Sequence, residues 1–468
     1  MRKAHLLSRG AKSLVVYLLT LPFIILPAAA QSVTASTAAV RIERIVFSGN
    51  RTDEKLLRKH LPFSEGDAIG PSTLKDAQTS LWDMHQFRQV DVSSTAITGG
   101  NAEIDIKVSD GWYLLPFPFF SSGSGGGRGG VLLFSKNIFR EAESVMASAA
   151  SGSAGSSTAV AVQREGWSLG AVARRRAITE RQYADGAFSA SSGFGSPPDE
   201  RTPFKYGTIA DSYRKTTNET ILTMGLPLRR KTSGLPELSA AFGWERSGLK
   251  YSDPSPSLPG DAGRSGQAFV SLKAGRDSAG AADAVGAIFG FGLADMERRI
   301  APLASASFAS GAEVSYHRGA AWTGSEFSYG YALAQWNGAI AWGTHRSFSL
   351  RLAGGHGKDL PPDCLLATGR ETGLTGNYAR EFRGDSAAGA SLIYSHPFRI
   401  TRRGIWQGAL FAETARAWGG GAAPGTKTGA GASFWYKFWR FPLPIGFSYT
   451  YSFDDHDPQV SAALGGRF

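Results

Sequence analysis

From residue 111 to residue 468 the chain alternates apolar with small or polar residues, and that period of two limits its fold more than any other feature. Ser347-Phe348-Ser349-Leu350-Arg351-Leu352 alternates cleanly, and so does Ile445-Gly446-Phe447-Ser448-Tyr449-Thr450-Tyr451-Ser452-Phe453. Residues 459–468 repeat the pattern, with Val460, Ala462, Leu464 and Phe468 facing one way. Successive side chains of a strand point to opposite faces, so each run reads as a strand with one apolar and one polar face. After Gln31 no apolar run approaches the roughly 20 residues that a spanning helix requires. A chain of this kind crosses a bilayer only as a closed barrel, because hydrocarbon cannot satisfy an open strand edge.

The first thirty residues point to export. Arg2, Lys3, Arg9 and Lys12 form a basic segment, residues 14–26 are apolar apart from Thr20 and Pro22, and Ala28-Ala29-Ala30 precedes Gln31. This is the layout of a secretory signal peptide over residues 1–30, and its apolar stretch is short for a membrane anchor.

Charge and cysteine narrow the classes further. The formal charge is +11, and four of the cations belong to the leader. The remaining basic clusters, Arg174-Arg175-Arg176, Arg229-Arg230-Lys231 and Arg402-Arg403, are scattered rather than gathered on one motif, which argues against nucleic acid as a partner. Cys364 is the only cysteine, so no intramolecular disulfide forms. With 58 glycines and abundant serine and alanine, a large helical core is excluded.

Residues 38–110 read differently. A strand is expected over residues 39–47, ending at Ser48-Gly49-Asn50. Thr52 is placed to cap a first helix, with Asp53 and Glu54 at its positive end. Pro71 and Ser72 open a second helix, in which Leu74, Ala77, Leu81 and Trp82 fall at helical spacing. Residues 89–94 and 102–108 then alternate as two strands about a turn at Gly99-Gly100-Asn101. The order β-α-α-β-β, with IERIVFSGNR, LPFSEGDAI and LWDMHQFRQVDV, resembles a POTRA (polypeptide-transport-associated) domain. Such domains offer sheet edges and grooves to other chains, which implies client polypeptides or periplasmic partners.

Residues 111–468 would then form the barrel, with about sixteen strands of ~9–11 residues plus turns; fourteen also fits the length. Trp322, Trp336, Trp342, Trp435, Tyr436 and Trp439 cluster near the expected strand ends, as interfacial aromatic girdles do. The fold class expected is therefore mainly β: a transmembrane antiparallel β-barrel preceded by a small α+β POTRA-like domain. A soluble β-sandwich would also alternate, but the leader and the size of the region favour a barrel.

A POTRA-like domain ahead of such a barrel resembles the BamA/TamA superfamily of outer-membrane proteins, the bacterial surface antigen family. Four further matches carry this resemblance. Gly129-Gly130-Val131 through Asn137-Ile138-Phe139 resembles the family's early hairpin, with Arg140 in place of a glycine. Leu374-Thr375-Gly376-Asn377-Tyr378, followed by Phe382-Arg383-Gly384-Asp385, resembles the family's sixth outer loop. Leu410-Phe411-Ala412-Glu413 resembles the following strand, and Leu464 with the terminal Phe468 resembles a carboxy-terminal assembly signal. The resemblance implies an outer-membrane location in a Gram-negative-type bacterium, lipid around the barrel, and the N-terminal domain in the periplasm. It also implies a loop arginine reaching an acid inside the lumen. Here Thr375 takes the arginine position and Asn377 the aromatic one, while Glu413 keeps an acid. Arg380, Arg383 or Arg370 is the expected replacement cation, unless Glu413 simply faces lumen water.

No catalytic constellation emerges. His317, His345, His356 and His396 are isolated, no G-x-S-x-G elbow occurs, and the glycine-rich residues 121–130 lack a following Lys-Ser/Thr. Asp454-Asp455-His456-Asp457 reads as a solvated turn rather than a metal site. No cofactor and no metal is expected. The family resemblance implies a barrel that guides polypeptides into or across the outer membrane through a lateral seam between its first and last strands. The prolines Pro116 and Pro118, which donate no ladder bond, would weaken that seam. A passive channel or structural barrel without insertase activity is the alternative.

Overall fold

The computed structural model describes residues 40–464 apart from 83, 85–86, 98–100, 111–113, 124–125, 142, 154, 165, 192–206, 230–237, 253–262, 276–306, 343–345, 370–371, 375–377, 379, 402–403, 421 and 439–444. The leader expected over residues 1–30 lies outside these.

The N-terminal unit runs β1 (Val40–Ser48), α1 (Glu54–Lys59), β2 (Ala68–Ile69), α2 (Pro71–Trp82), β3 (Phe87–Ala96) and β4 (Asn101–Asp110). Its sheet has the order β2-β1-β4-β3, with β1 parallel to β4 and the other pairs antiparallel. Alternation on β4 turns Ala102, Ile104, Ile106 and Val108 into one core, joined by Ile42 and Ile45 of β1 and by Leu57 and Leu81 of the helices. The β1 turn depends on Gly49, whose φ is +77° and whose missing Cβ would strike the Val108 carbonyl. The cap of α1 differs from expectation. Asp53, not Thr52, is the N-cap, and its carboxylate accepts from Lys55 N at 2.8 Å. Thr52 is instead buried beneath the helix start, where its hydroxyl donates to Asp110 Oδ1 at 3.0 Å.

After Asp110 the described elements are strands and two short 3-10 helices, Ala321–Thr323 and Pro362–Cys364. β5 (Leu115–Gly123), β6 (Gly126–Lys136), β7 (Ser144–Gly152), β8 (Gly155–Arg164) and β9 (Trp167–Tyr183) precede a short β10 (Phe188–Ser191). β11 (Ile209–Arg229), β12 (Leu238–Ser252), β13 (Gly263–Gly275), β14 (Ser307–Gly319), β15 (Tyr329–Trp342) and β16 (Arg346–Lys358) continue the wall. Two short strands, β17 (Leu366–Ala367) and β18 (Arg383–Gly384), lie in the next loop. β19 (Ser386–Ile400), β20 (Gly404–Gly419), β21 (Ala422–Phe438), β22 (Ile445–Ser452) and β23 (Asp457–Leu464) complete the chain.

Successive wall strands pair antiparallel, and β23 returns to β5 to close the barrel. Among the described residues the wall consists of sixteen strands, β5–β9, β11–β16 and β19–β23; β10 extends one end of β9 as a hairpin. The even number lets first and last strands meet antiparallel. The period of two in the sequence has become an outside and an inside. On β11, Leu222 and Met224 point out and Thr223 is buried; on β22, Phe447 and Tyr449 point out while Ser448 and Thr450 are buried. An apolar outer surface over a polar lumen is the arrangement that lipid demands. At the end nearest the N-terminal unit, Trp406 packs on Tyr436 and Phe434, and Phe434 meets Phe398 and Phe447. Of these rings Tyr436 is among those expected to form a girdle; Trp439, also expected there, lies outside the described residues.

The seam is short. β5 pairs with β6 along its whole length, from Leu115–Phe134 to Gly123–Gly126. Towards β23, the described register comprises Ala462–Ser122, Ala463–Ser121 and Leu464–Phe120.

The two units are joined by more than the chain. The β6–β7 turn rises against the N-terminal unit, so that Asn137 Nδ2 donates to Thr52 Oγ1 at 2.6 Å and to Asp110 Oδ1 at 3.1 Å. Asp53 N also donates to the Arg140 carbonyl at 3.0 Å. Arg140, standing where the family resemblance has glycine, keeps a left-handed φ of 67°.

Candidate functional site in the sixth loop

The loop between β16 and β19, residues 359–385, is the sixth on its side of the barrel, and it folds back against the inner wall. It does so because the wall opposite has no side chains in the way. On the lumen face of β21 the sequence reads Gly425, Lys427, Gly429 and Gly431 at every second position. A Cβ on Gly425 would collide with the Phe382 ring, one on Gly429 with the Tyr378 ring, and one on Gly431 with Phe411. Two loop aromatics thus sit in notches on either side of Lys427, whose ammonium is 5.8 Å from the centre of each ring.

Within the loop, β17 pairs with β18 through Leu366–Gly384 and Ala367–Arg383. Thr368 closes the hairpin: its N–H donates to the Phe382 carbonyl and its hydroxyl accepts from Phe382 N, both at 2.9 Å. Leu374 is buried next to Gly373, which has φ +78°. Gly384 is required by contact, since a Cβ there would strike the backbone of Trp418. The Asp385 carbonyl accepts from Gly357 N at 2.7 Å and returns the chain to the wall. Thr375, Gly376, Asn377 and Arg370 lie outside the described residues, as does Phe468; Leu464 holds its register with Phe120 and Ile445.

Charges fix the loop on two walls. Arg383 Nη2 lies 3.2 Å from Glu180 Oε1 on β9 and 2.6 Å from Glu381 Oε1, with the guanidinium 4.7 Å from the Phe188 ring centre. Beside it the backbone of Glu381 exchanges two hydrogen bonds with Phe188 of β10, at 2.7 and 2.8 Å. Arg380 Nη2 lies 2.6 Å from Asp185 in the β9–β10 turn, and its Nε lies 3.0 Å from Asp455 Oδ1 in the β22–β23 turn. Lys427 Nζ also pairs with Asp455, and both side chains are almost fully enclosed, at 0% and 1% exposure.

The acid expected to need a cation, Glu413, is 5% exposed. Its Oε1 accepts from the Tyr378 hydroxyl at 2.7 Å and its Oε2 from Ser391 Oγ at 3.1 Å. Of the cations proposed for it, Arg380 pairs with Asp185 and Asp455 and Arg383 with Glu180 and Glu381, while Arg370 lies outside the described residues. Asp455, read from sequence as part of a solvated turn, is instead the buried junction of Arg380 and Lys427. The signal available for it was the lone lysine on a lumen face made of glycine, which needs an acid nearby. Asp185 and Glu180 carried no comparable signal.

Comparison with known proteins places both units. Residues 40–111 match the family model described as POTRA, surface antigen variable number repeat. Among curated proteins none matches the chain in sequence. Among solved structures the chain is similar to BamA from Haemophilus ducreyi lacking POTRA domains 1–3, at 14% identity and TM-score 0.55, covering 91% of this chain and 84% of that one. It is also similar to CdiB from Acinetobacter baumannii, at 14% identity and TM-score 0.54, covering 91% and 74%. CdiB from Escherichia coli matches at 11% identity and TM-score 0.55, covering 98% and 96%. At such identities the likeness is one of fold. The chain thus joins a single POTRA domain of the surface-antigen type to a C-terminal β-barrel of the fold shared by BamA and CdiB.

Proposed function

We propose that this protein is an outer-membrane barrel that inserts or secretes polypeptides, receiving them at a periplasmic POTRA domain and passing them by way of a lateral seam between β5 and β23. The observation that carries the reading is the brevity of that seam among the described residues, three register pairs where every other neighbouring pair in the wall runs longer. At a net contribution of about 0.5–1.5 kcal/mol per hydrogen bond, the described β5–β23 ladder holds the wall least. Opening there would present a strand edge, which binds an incoming strand through main-chain hydrogen bonds. The fold shared with BamA and CdiB and the POTRA match support the same class of activity. The lumen supports it too: a loop tied across the interior suits a barrel that acts at its wall better than one serving as an open pore.

The test is reconstitution of the full mature chain in liposomes with an unfolded outer-membrane barrel as client. Accelerated client folding, measured as protease-protected product, is expected. Steady single-channel conductance with no effect on client folding would instead identify a passive channel and overturn the reading.

A further inference from the structure

Arg380 is the only described loop side chain shown bridging two different outer turns of the barrel. On one side it meets Asp185 in the turn between β9 and β10. On the other it meets Asp455 in the turn that leads directly into β23, the seam strand, two residues before that strand begins. Asp455 is held in turn by Lys427 of β21 and by Ser452 Oγ at 3.1 Å, and Thr428 N donates to the neighbouring Asp454. The seam hairpin is therefore drawn inward at its outer end by the plugging loop, and the loop is drawn by the same guanidinium to a hairpin on another part of the wall. The stem of that guanidinium is buried and its plane lies 4.9 Å from the centre of the Tyr183 ring, so it has little freedom to serve one acid without the other.

From this geometry we infer that the sixth loop is a strap holding the seam shut, with Arg380 as its buckle: release of the loop from the β9–β10 hairpin and loosening of β23 from β5 are one event. The inference rests on the proposed seam being the place where the barrel parts, but not on any client. Asp185 carries the decisive consequence. It sits at the end of β9, with β6, β7 and β8 between it and the first seam strand, and its described partners include none on β5, β22 or β23. If the strap couples the two, weakening Asp185 reaches the seam through Arg380. If the loop merely fills space, Asp185 acts on its own hairpin alone.

The experiment measures disulfide formation between Ser121→Cys and Ala463→Cys, a register pair across the seam, in the full chain carrying Cys364→Ser. A second pair, Ala171→Cys with Leu222→Cys across β9–β11, serves as the internal control. Asp185→Asn keeps the oxygen that accepts from Ala187 N, so the turn itself persists. Asp185 is half exposed, so its variant should lower the rate of seam crosslinking about threefold. Arg380→Ala removes a buried partner of Asp455 and leaves it to Lys427 and Ser452, so its effect should be larger, on the order of tenfold. In both, the control pair should crosslink as in the parent. Only folded, heat-modifiable protein is scored, so an Arg380 variant that fails to fold leaves the Asp185 variant to decide. Unchanged seam crosslinking in Asp185→Asn, with the loop newly open to protease, would overturn the inference. Loss of crosslinking at both seam and control pairs would overturn it too, since that reports general loosening. Neither outcome bears on whether client folding is accelerated, so the two proposals fail separately.

Discussion

The Tyr378 hydroxyl donates to Glu413 Oε1 at 2.7 Å and so ties the inserted loop to β20. It fills a place for which an arginine was expected. Glu413 also receives Ser391 Oγ from the adjacent strand. Tyr378→Phe keeps the ring in its notch at Gly429 and removes only the donor. A buried carboxylate deprived of one partner should cost about 1–3 kcal/mol. The check is the temperature at which the SDS-resistant folded band disappears on electrophoresis, which should fall; Glu413→Gln, which keeps an acceptor oxygen, should lower it less than Glu413→Ala.

Filling the notches should expel the loop. Gly425→Val places methyl groups where the Phe382 ring lies, and Gly429→Val does the same to Tyr378. Overpacking of this kind costs typically ~1–3 kcal/mol, and a loop has somewhere else to go. Limited proteolysis of intact cells or vesicles should cut within residues 359–385 in these variants and spare the parent. The same substitution at Gly338 of β15, where a Cβ would meet the Trp336 ring of its own strand and not the loop, should leave the cleavage pattern as it is.

The loop's second anchor is Arg383. Its removal leaves Glu180, 3% exposed, facing Lys215 Nζ at 3.9 Å and the Tyr213 hydroxyl at 2.9 Å. Breaking a buried pair on one side costs about 3–5 kcal/mol, whereas removing both partners costs less. Arg383→Ala should therefore destabilise the barrel more than the double variant Arg383→Ala with Glu180→Gln, a non-additivity that thermal melting in detergent can read.

Much of this architecture is legible in the residues, and the illegible part has a common cause. The barrel shows because lipid on one face and water on the other impose a period of two along every strand, as in residues 445–453. The N-terminal unit shows because Leu74, Ala77 and Leu81 keep helical spacing and Ala102 to Val108 keep strand spacing. Thr52 misleads because threonine and aspartate are both good caps; only the position of Asn137, 85 residues away, decides that Thr52 faces the barrel and Asp53 takes the helix. The loop's ion pairs fail for the same reason at larger range. Arg380 and Asp185 are separated by 195 residues, Arg383 and Glu180 by 203, and which acid faces which arginine depends on how the wall curves to bring β9 and the sixth loop together. Local spacing carries no information on that.

At the junction of the two units, Asn137 donates to both Thr52 and Asp110 from a buried position. Asn137→Ala should leave each unit folded and free their relative orientation. Spin labels on α1 and on the outer end of β12 should give a broadened distance distribution by pulsed electron resonance, against a narrow one in the parent.

In the POTRA domain, Glu65 accepts from Ile45 N at 3.1 Å and from Arg58 Nη1 at 3.2 Å. The backbone donor first, and Arg58 after it, hold its pKa below the ordinary 4.5. A lowered folded-state pKa stabilises above the unfolded value and is lost as pH falls through the folded one. Glu65→Gln should thus reduce the domain's melting temperature at pH 7 by more than in acid, the difference shrinking as pH falls through the folded-state pKa; an effect independent of pH would count against it.

If the β5–β23 seam parts in use, locking it should abolish activity. With Ser121→Cys and Ala463→Cys joined in cells that depend on the protein, assembly or secretion of its polypeptide client should stop under oxidising conditions and resume on reduction, while the control pair across β9–β11 has no effect. Full activity with the seam quantitatively crosslinked would contradict the account.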